Sequence, residues 1–216
     1  MAILKVLKYP HPILREQCEP VVAWDASLQK LVDDMTQTMY EAYGAVGLAA
    51  SQIGVTARVI ILDVSSKTSR SDYKVLINPV ILQSSRKKQM REGCLSFPEY
   101  LASVKRATRL TFTALDRDQE LKTYTVSGLE AIAVQHEIDH LDGVLMIDRI
   151  NSLKTDWIRR QPRQEKPEDL AANAPGGNLS AASDSSDNTD HSDNSDNSDN
   201  SEIHPQKSPA IYKPYI

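Results

Sequence analysis

Two histidines four positions apart, His136 and His140, constrain this chain more than any other feature of its sequence. Residues at i and i+4 lie on the same face of an α-helix, so both imidazoles can bind one metal ion. Glu137 follows the first histidine and would lie beside that ion, where a carboxylate can accept a proton from bound water. The pattern therefore predicts a metal-binding helix that carries its own base.

The flanking residues indicate where this helix begins and ends. Ser127 and Glu130 have the spacing of a capping box, in which the two side chains satisfy free N–H groups of the first turn. Gly143 is typical of a helix C-terminus. Between these positions, three- and four-residue spacing links the metal face to an apolar face: Leu129, Ile132, Ala133, His136 and His140. We therefore expect the helix to run through the interior.

The composition indicates one folded domain followed by a polar tail. Of the 216 residues, 40% are hydrophobic and 25% are charged. Residues 183–202 carry a charge of −7 within a chain of net charge −4, so the rest is mildly basic at +3. Residues 192–200 repeat Ser-Asp-Asn three times, and such a sequence cannot bury enough apolar surface to offset the entropy of ordering. We predict a catalytic domain over residues 1–160 and a disordered low-complexity tail over 161–216.

Cysteine usage and hydropathy favour a cytoplasmic protein. Cys18 and Cys94 are the only cysteines, which gives no disulfide framework. Lys5, Lys8 and Pro10 interrupt the N-terminus before the apolar core of a signal peptide could form. No apolar run approaches the length of a membrane span. The sequence therefore predicts no membrane partner, and it contains no evident nucleic-acid site.

Periodicity predicts a mixture of helices and strands. A helix is expected from Asp25 or Ser27 to Gly44, because apolar residues there fall on one stripe. The β-branched and alternating runs predict strands over 58–64, 73–81, 109–115 and 121–126, with a hairpin loop at 116–119. Residues 144–150 are apolar enough to form a further buried segment. Residues 151–160 are expected to start another helix, which Pro162 and Pro167 would keep short.

The third metal ligand is less obvious than the two histidines. A catalytic zinc-type site uses three protein ligands and one open position. The candidates are His11, His191, His204, several carboxylates and Cys94. Cys94 follows Gly93, which permits an unusual backbone conformation, and a thiolate beside two imidazoles suits zinc or ferrous iron. We favour Cys94 as the third ligand.

Three motifs in this order resemble those of the bacterial peptide deformylases: Gly47-Leu-Ala-Ala-Ser-Gln52, Glu92-Gly-Cys-Leu-Ser96 and Gln135-His-Glu-Ile-Asp-His140. The resemblance extends from about Leu4 to Lys154 and excludes the tail. It implies an α+β fold with β-sheets packed around a central metal-binding helix. It also implies removal of the N-terminal formyl group from formylmethionine of newly synthesised polypeptides, by attack of metal-bound water on the formyl carbonyl.

The resemblance implies a role for each matching residue. Cys94, His136 and His140 would bind one divalent metal ion, which in this family is usually ferrous iron in the cell, with zinc or nickel in purified protein. Glu137 would be the general base and then the acid that protonates the departing amine.

Further matches concern the substrate. Gln52 and the backbone N–H of Leu95 would bind the oxyanion, and Gly47 would offer a backbone contact to the peptide. Arg106 matches a family arginine near the substrate path, with a solvated surface charge as the alternative. The residues expected to form an apolar pocket for the methionine side chain are Val46, Leu129, Ile132 and Ala133.

Some features depart from the family or leave alternatives open. Ala45 stands where the family usually has glycine, and many relatives carry a terminal helix thought to dock on the ribosome where this chain has prolines. Formylated nascent peptides are the expected partners, and ribosome contact stays open. The rival functions are a metallopeptidase with a downstream third ligand and a metal-stabilised protein without catalysis.

Overall fold

A computed structural model of the chain describes residues 2–65, 69–70, 72–160. The predicted low-complexity tail, with His191 and His204, lies outside the described residues. Within the described part, one six-stranded antiparallel sheet packs with two α-helices, which is the predicted α+β fold. No helix in this part is long and apolar enough to cross a membrane.

The sheet has the strand order β1-β2-β3-β4-β5, and β6 pairs with β4 off that path. The helices and strands are α1 (Ala26–Glu41), β1 (Gly47–Ala49), β2 (Val59–Leu62), β3 (Lys74–Cys94), β4 (Phe97–Leu115), β5 (Leu121–Ser127), α2 (Leu129–Leu141) and β6 (Trp157–Arg159). Short 3-10 turns lie at Pro12–Arg15, Ala50–Ile53 and Met146–Arg149. The four predicted strands and the loop between β4 and β5 are confirmed.

Helix α1 forms where its sequence predicts it. The Asp25 carboxylate accepts a hydrogen bond from the Leu28 amide at 2.9 Å, which caps the first turn. The apolar stripe, including Val32, Met35 and Met39, is buried in a cluster with residues of β1 and β2. Helix α1 thus covers one part of the sheet.

A long hairpin of β3 and β4 brings two chemical groups to the centre of the fold. Its tip is the turn at Leu95 and Ser96, and Gly93 pairs with Leu101 just before it. Side chains alternate along a strand, so Glu92 and Cys94 project to one face, where both contact histidines of α2. The hairpin thereby presents its last two inward side chains to the central helix.

Helix α2 runs through the interior as expected, with every residue from Ala131 to Leu141 buried except Gln135. The capping box predicted at Ser127 and Glu130 is wrong. Gly128 holds the cap position with φ of 62°, and Ser127 pairs in β5 with Arg109, which commits its backbone to the sheet. Glu130 instead pairs with Lys74 at 2.8 Å.

The end of the described chain also differs from the prediction. Residues 151–160 form turns and the short strand β6, whereas a helix was predicted. The Trp157 ring stacks on Tyr100 with centroids 4.9 Å apart and meets the edge of Phe97 at 5.3 Å. These contacts across distant sequence, together with pairing to β4, favour the extended conformation over the local preference.

Candidate metal centre

Cys94 from the tip of β3 meets His136 and His140 from α2 in the interior. One potential ligand atom from each side chain lies within 4.8 Å of the others, and all three residues are buried. Cys94 Sγ is 3.2 Å from Nε2 of His140. Among the described residues, this is the only group of three such side chains, and His11 is not part of it.

The chemistry of this group fits a divalent metal ion. Nε2 of His136 is buried and has no hydrogen-bond partner within the described chain, which is costly for a polar atom. A bound cation would use that lone pair. One thiolate and two imidazoles form a donor set that suits zinc or ferrous iron, and three protein ligands leave a position for a small molecule.

Glu92 and Arg106 support His136 from behind. The Glu92 carboxylate accepts a hydrogen bond from Nδ1 of His136 at 3.0 Å and two from Arg106 at 2.6 and 3.0 Å. Arg106 also donates to Asp139 at 2.6 Å. Burial acts to raise the pKa of Glu92, but the hydrogen bonds from His136 and Arg106 outweigh it and lower that pKa to about 2. Glu92 is therefore ionised at neutral pH.

This network bears on the role of Arg106. Its side chain is only 5% exposed, and its guanidinium is engaged by two carboxylates, so it is not a solvated charge. The substrate contact expected from the sequence would require that guanidinium to face a peptide, and its three hydrogen bonds hold it in the interior instead. The geometry favours a positioning role through Glu92.

Glu137 lies next to the ligands with its carboxylate against β1. A Cβ placed on Gly47 would be only 2.5 Å from Oε1 of Glu137, so the absence of a side chain there makes room for the carboxylate. Burial is the main cause that raises the pKa of Glu137, to about 7. A carboxylate with such a pKa can both accept and return a proton near neutral pH.

Gln52 lies beside the Cys94 sulfur, in the turn that follows β1. Its Oε1 accepts a hydrogen bond from the Ala49 amide at 3.0 Å. Its Nε2 lies 3.6 Å from Cys94 Sγ and donates to Ser96 at 3.2 Å. Leu95 follows Cys94 in the hairpin turn. The residues expected to bind the oxyanion are thus adjacent to the candidate metal ligands.

The residues expected to form the methionine pocket share one apolar cluster. Val46, Ile132 and Ala133 are buried in it, and Leu129 packs against it while half-buried. Met90, which was not predicted from the sequence, packs against the same cluster. Its position two and four residues before Glu92 and Cys94 on β3 was the available signal, since such residues share a strand face.

Ala45 stands in the segment before β1 without backbone strain. Among the described residues, the non-glycine positions with positive φ are Arg70, Asn78, Arg86 and Gln119. Ala45 is 5% exposed and packs in the cluster with α1. Its methyl group therefore contributes to the core, and the backbone there does not need glycine's freedom.

Comparisons with known proteins agree on one family. The family model for polypeptide deformylase matches residues 3–156. A peptide deformylase of Alkalilimnicola ehrlichii is 47% identical over 161 residues, covering 74% of this chain and 89% of the relative. One of Nitrosococcus oceani is 44% identical over 172 residues, covering 80% and 100%.

Solved structures give the same result. A crystal structure of a peptide deformylase from Legionella pneumophila matches with a TM-score of 0.67 and 43% identity, covering 71% of this chain and 89% of that one. A peptide deformylase from Synechococcus elongatus, in complex with actinonin, matches with a TM-score of 0.65 and 33% identity, covering 70% and 81%.

Proposed function

The chain belongs to the peptide deformylase family, and from this membership we propose how its own residues carry out the reaction. Enzymes of this family are metal-dependent hydrolases that remove the N-terminal formyl group from nascent polypeptides, and this is the activity of the chain. The observation that carries the assignment of roles is the meeting of Cys94, His136 and His140 beside the Glu137 carboxylate.

Cys94, His136 and His140 would hold the metal ion, with Fe(II) as the native metal and zinc or nickel as substitutes in purified protein. The donor set supports this choice, because a thiolate and two imidazoles suit these borderline ions. When bound, a divalent ion supplies Lewis acidity, which lowers the pKa of water and polarises a carbonyl. The Glu92 carboxylate fixes the orientation of His136, and Arg106 holds Glu92 in place.

Glu137 transfers the protons in this proposal. Its carboxylate accepts a proton from the attacking water and then donates a proton to the amine that departs as the new N-terminus. Burial supports both steps, since it raises the pKa of this carboxyl to about 7. Gly47 leaves the space in which the carboxylate lies.

Gln52 and Leu95 stabilise the charge that develops on the formyl oxygen. Nε2 of Gln52 and the backbone N–H of Leu95 would donate hydrogen bonds to that oxygen. Removal of one such donor typically lowers the rate about 100- to 1000-fold. Support comes from the position of Gln52, whose own Oε1 is fixed by the Ala49 amide so that Nε2 points to Cys94 and Ser96.

The apolar cluster beside α2 selects the methionine side chain. The residues that would line the pocket are members of this cluster or pack against it: Val46, Met90, Leu129, Ile132 and Ala133. Nascent chains are made in the cytoplasm, so we place the enzyme there. Co-sedimentation with ribosomes tests whether it also contacts the ribosome.

Formate release from formyl-Met-Ala-Ser tests the assignment of Glu137. We expect the Glu137→Ala variant to retain its metal and to lose activity by several orders of magnitude. Equal activity in the variant and the wild type would eliminate the proposed proton transfers. Inactivity of both proteins with metal bound would favour a metal-stabilised protein without catalysis.

A Cys94→Ser variant separates the proposal from a metallopeptidase site with another third ligand. We expect metal content to fall well below that of the wild type, with His11→Ala as the matched control that keeps its metal. Full metal content in Cys94→Ser would contradict the assigned ligand set.

A further inference from the structure

Arg149 reaches from the protein surface to the buried ion pairs behind the candidate metal ligands. It lies in the 3-10 turn Met146–Arg149, which follows α2, and its side chain is 47% exposed. Its Nε and Nη2 donate to the two carboxylate oxygens of Asp139 at 2.9 and 2.5 Å. Asp139 is itself buried on α2, one residue before the candidate ligand His140. A partly exposed guanidinium therefore pairs with a buried carboxylate in the metal-binding helix.

Asp139 joins two guanidinium groups. The carboxylate oxygen that accepts from Nε of Arg149 also accepts from Nη1 of Arg106 at 2.6 Å. Arg106 donates to both oxygens of Glu92, at 2.6 and 3.0 Å, and Glu92 accepts from Nδ1 of His136. Hydrogen bonds to ionised groups are stronger than neutral ones, and here they form a continuous series. The series runs from the protein surface to a candidate ligand.

The charges of these four ionisable partners balance only when Arg149 is counted. Glu92 and Asp139 supply two buried carboxylates, and the buried guanidinium of Arg106 can offset only one of them. A buried charge is costly unless it is paired and hydrogen-bonded. Without Arg149, both carboxylates would depend on one guanidinium. Competition for that group would loosen the contact that orients His136.

The turn that carries Arg149 is held by contacts of its own. Asp148 accepts a hydrogen bond from the Leu145 amide at 2.8 Å and pairs with Arg15, and Met146 is buried. Arg15 and Arg149 have similar side-chain exposures, 40% and 47%. The pair made by Arg15 ends at Asp148, whose side chain is 38% exposed, whereas the pair made by Arg149 leads into the interior. Arg15 is therefore a matched control.

We propose that Arg149 is a positioning residue that fixes the candidate metal ligand His136 from the protein surface. It acts through Asp139 and Arg106, which together keep the Glu92 carboxylate in place. The shape of the guanidinium contributes as well as its charge, because two N–H groups fix the plane of the Asp139 carboxylate. The inference rests on the proposed function, since it takes the assigned metal ligands as its end point.

Metal affinity, measured with Co(II) by competition with a chelator, tests this inference without turnover. We expect Arg149→Gln to bind Co(II) about fivefold more weakly, a smaller loss than is typical when a direct partner of a ligand is replaced. The d–d absorption of bound Co(II) should also shift, because it depends on the arrangement of the ligands. Arg149→Lys should recover part of the affinity, and Arg15→Gln should bind Co(II) like the wild type.

A double variant distinguishes action through Glu92 from a general loss of stability. The last contact of the series is already weakened in Glu92→Gln, so the addition of Arg149→Gln should lower Co(II) affinity little further. Additive losses would contradict the inference, as would unchanged affinity in Arg149→Gln alone or an equal loss in Arg15→Gln. Full Co(II) binding by Cys94→Ser would instead overturn the ligand set of the proposed function.

Discussion

Nδ1 of His136 lies 3.0 Å from Oε2 of Glu92, so one side of the imidazole is fixed by a buried carboxylate while its Nε2 has no protein partner within the described residues. Such a contact sets both the tautomer and the orientation of a metal-binding histidine. Arg106 in turn donates two hydrogen bonds to Glu92. The orientation of a candidate ligand is therefore determined by a residue on a strand 44 positions away.

Replacing Glu92 with glutamine should weaken metal binding about 10- to 100-fold. The neutral amide would orient His136 less firmly, and it would not raise the basicity of the imidazole as the carboxylate does. Competition with a chelator of known affinity measures the change. Glu130→Gln is the matched control on the first turn of α2, where the carboxylate pairs with Lys74. Equal metal affinity in Glu92→Gln and the wild type would contradict the supporting role.

The Glu92 carboxylate should make the free energy of unfolding depend on pH. Its pKa is lowered from 4.5 to about 2 in the folded protein, against the opposing effect of burial, by hydrogen bonds from His136 and Arg106. A lowered folded-state pKa contributes stability that is fully present above pH 4.5 and is lost as the pH falls towards 2. Urea unfolding of metal-free protein between pH 6 and 3 should show this loss in the wild type and a smaller one in Glu92→Gln. Parallel profiles would exclude Glu92 as the source.

Gly47→Ala should impair catalysis without unfolding the protein. The new methyl group would lie 2.5 Å from Oε1 of Glu137 and 2.9 Å from its Cγ, so the carboxylate has to move. A displacement of about 1 Å at a reacting group can cost about 100-fold in rate. We expect kcat to fall by that order with metal content unchanged. Glu137→Asp, which shortens the side chain, completes a double-mutant cycle with Gly47→Ala. Strictly additive effects on the activation free energy would show that the two residues do not collide.

Trp157→Ala should lower the stability of the domain by about 2 kcal/mol, less than for a fully buried tryptophan because this side chain is half-buried. The loss would come from the contacts with Tyr100 and Phe97. Thermal unfolding measures it, with Arg159→Ala as the control on the same strand.

A chain ending after residue 165 retains β6 and should keep wild-type stability and turnover. A marked loss of either would show that later residues pack on the domain.

The sequence predicted the features that depend on local periodicity. The i, i+4 spacing of His136 and His140 fixed a helix face, and alternating apolar residues marked the cores of the strands. Asp25 was recognisable as a cap because its hydrogen bond to Leu28 is formed within one turn. The meeting of Cys94 with the two histidines was inferred from ligand chemistry and from the family motifs.

The features that were missed depend on contacts between distant residues. Ser127 has the spacing of a cap, yet its pairing with Arg109 places it in β5, which no local pattern reveals. Trp157 joins the sheet because its ring stacks on Tyr100 of β4, far away in sequence. The sequence left Arg106 between a substrate contact and a solvated charge, because Glu92 and Asp139, whose carboxylates enclose it, lie 14 and 33 positions away.

The hairpin tip and the central helix are far apart along the chain, and a bound ion would cross-link them. Any free energy of ion binding then adds to the free energy of unfolding, because the unfolded chain does not hold Cys94 near His136 and His140. Oxidation of the Cys94 sulfur would remove that fastening as well as a ligand. Oxidation of this one sulfur should therefore lower both the stability of the fold and its catalytic activity.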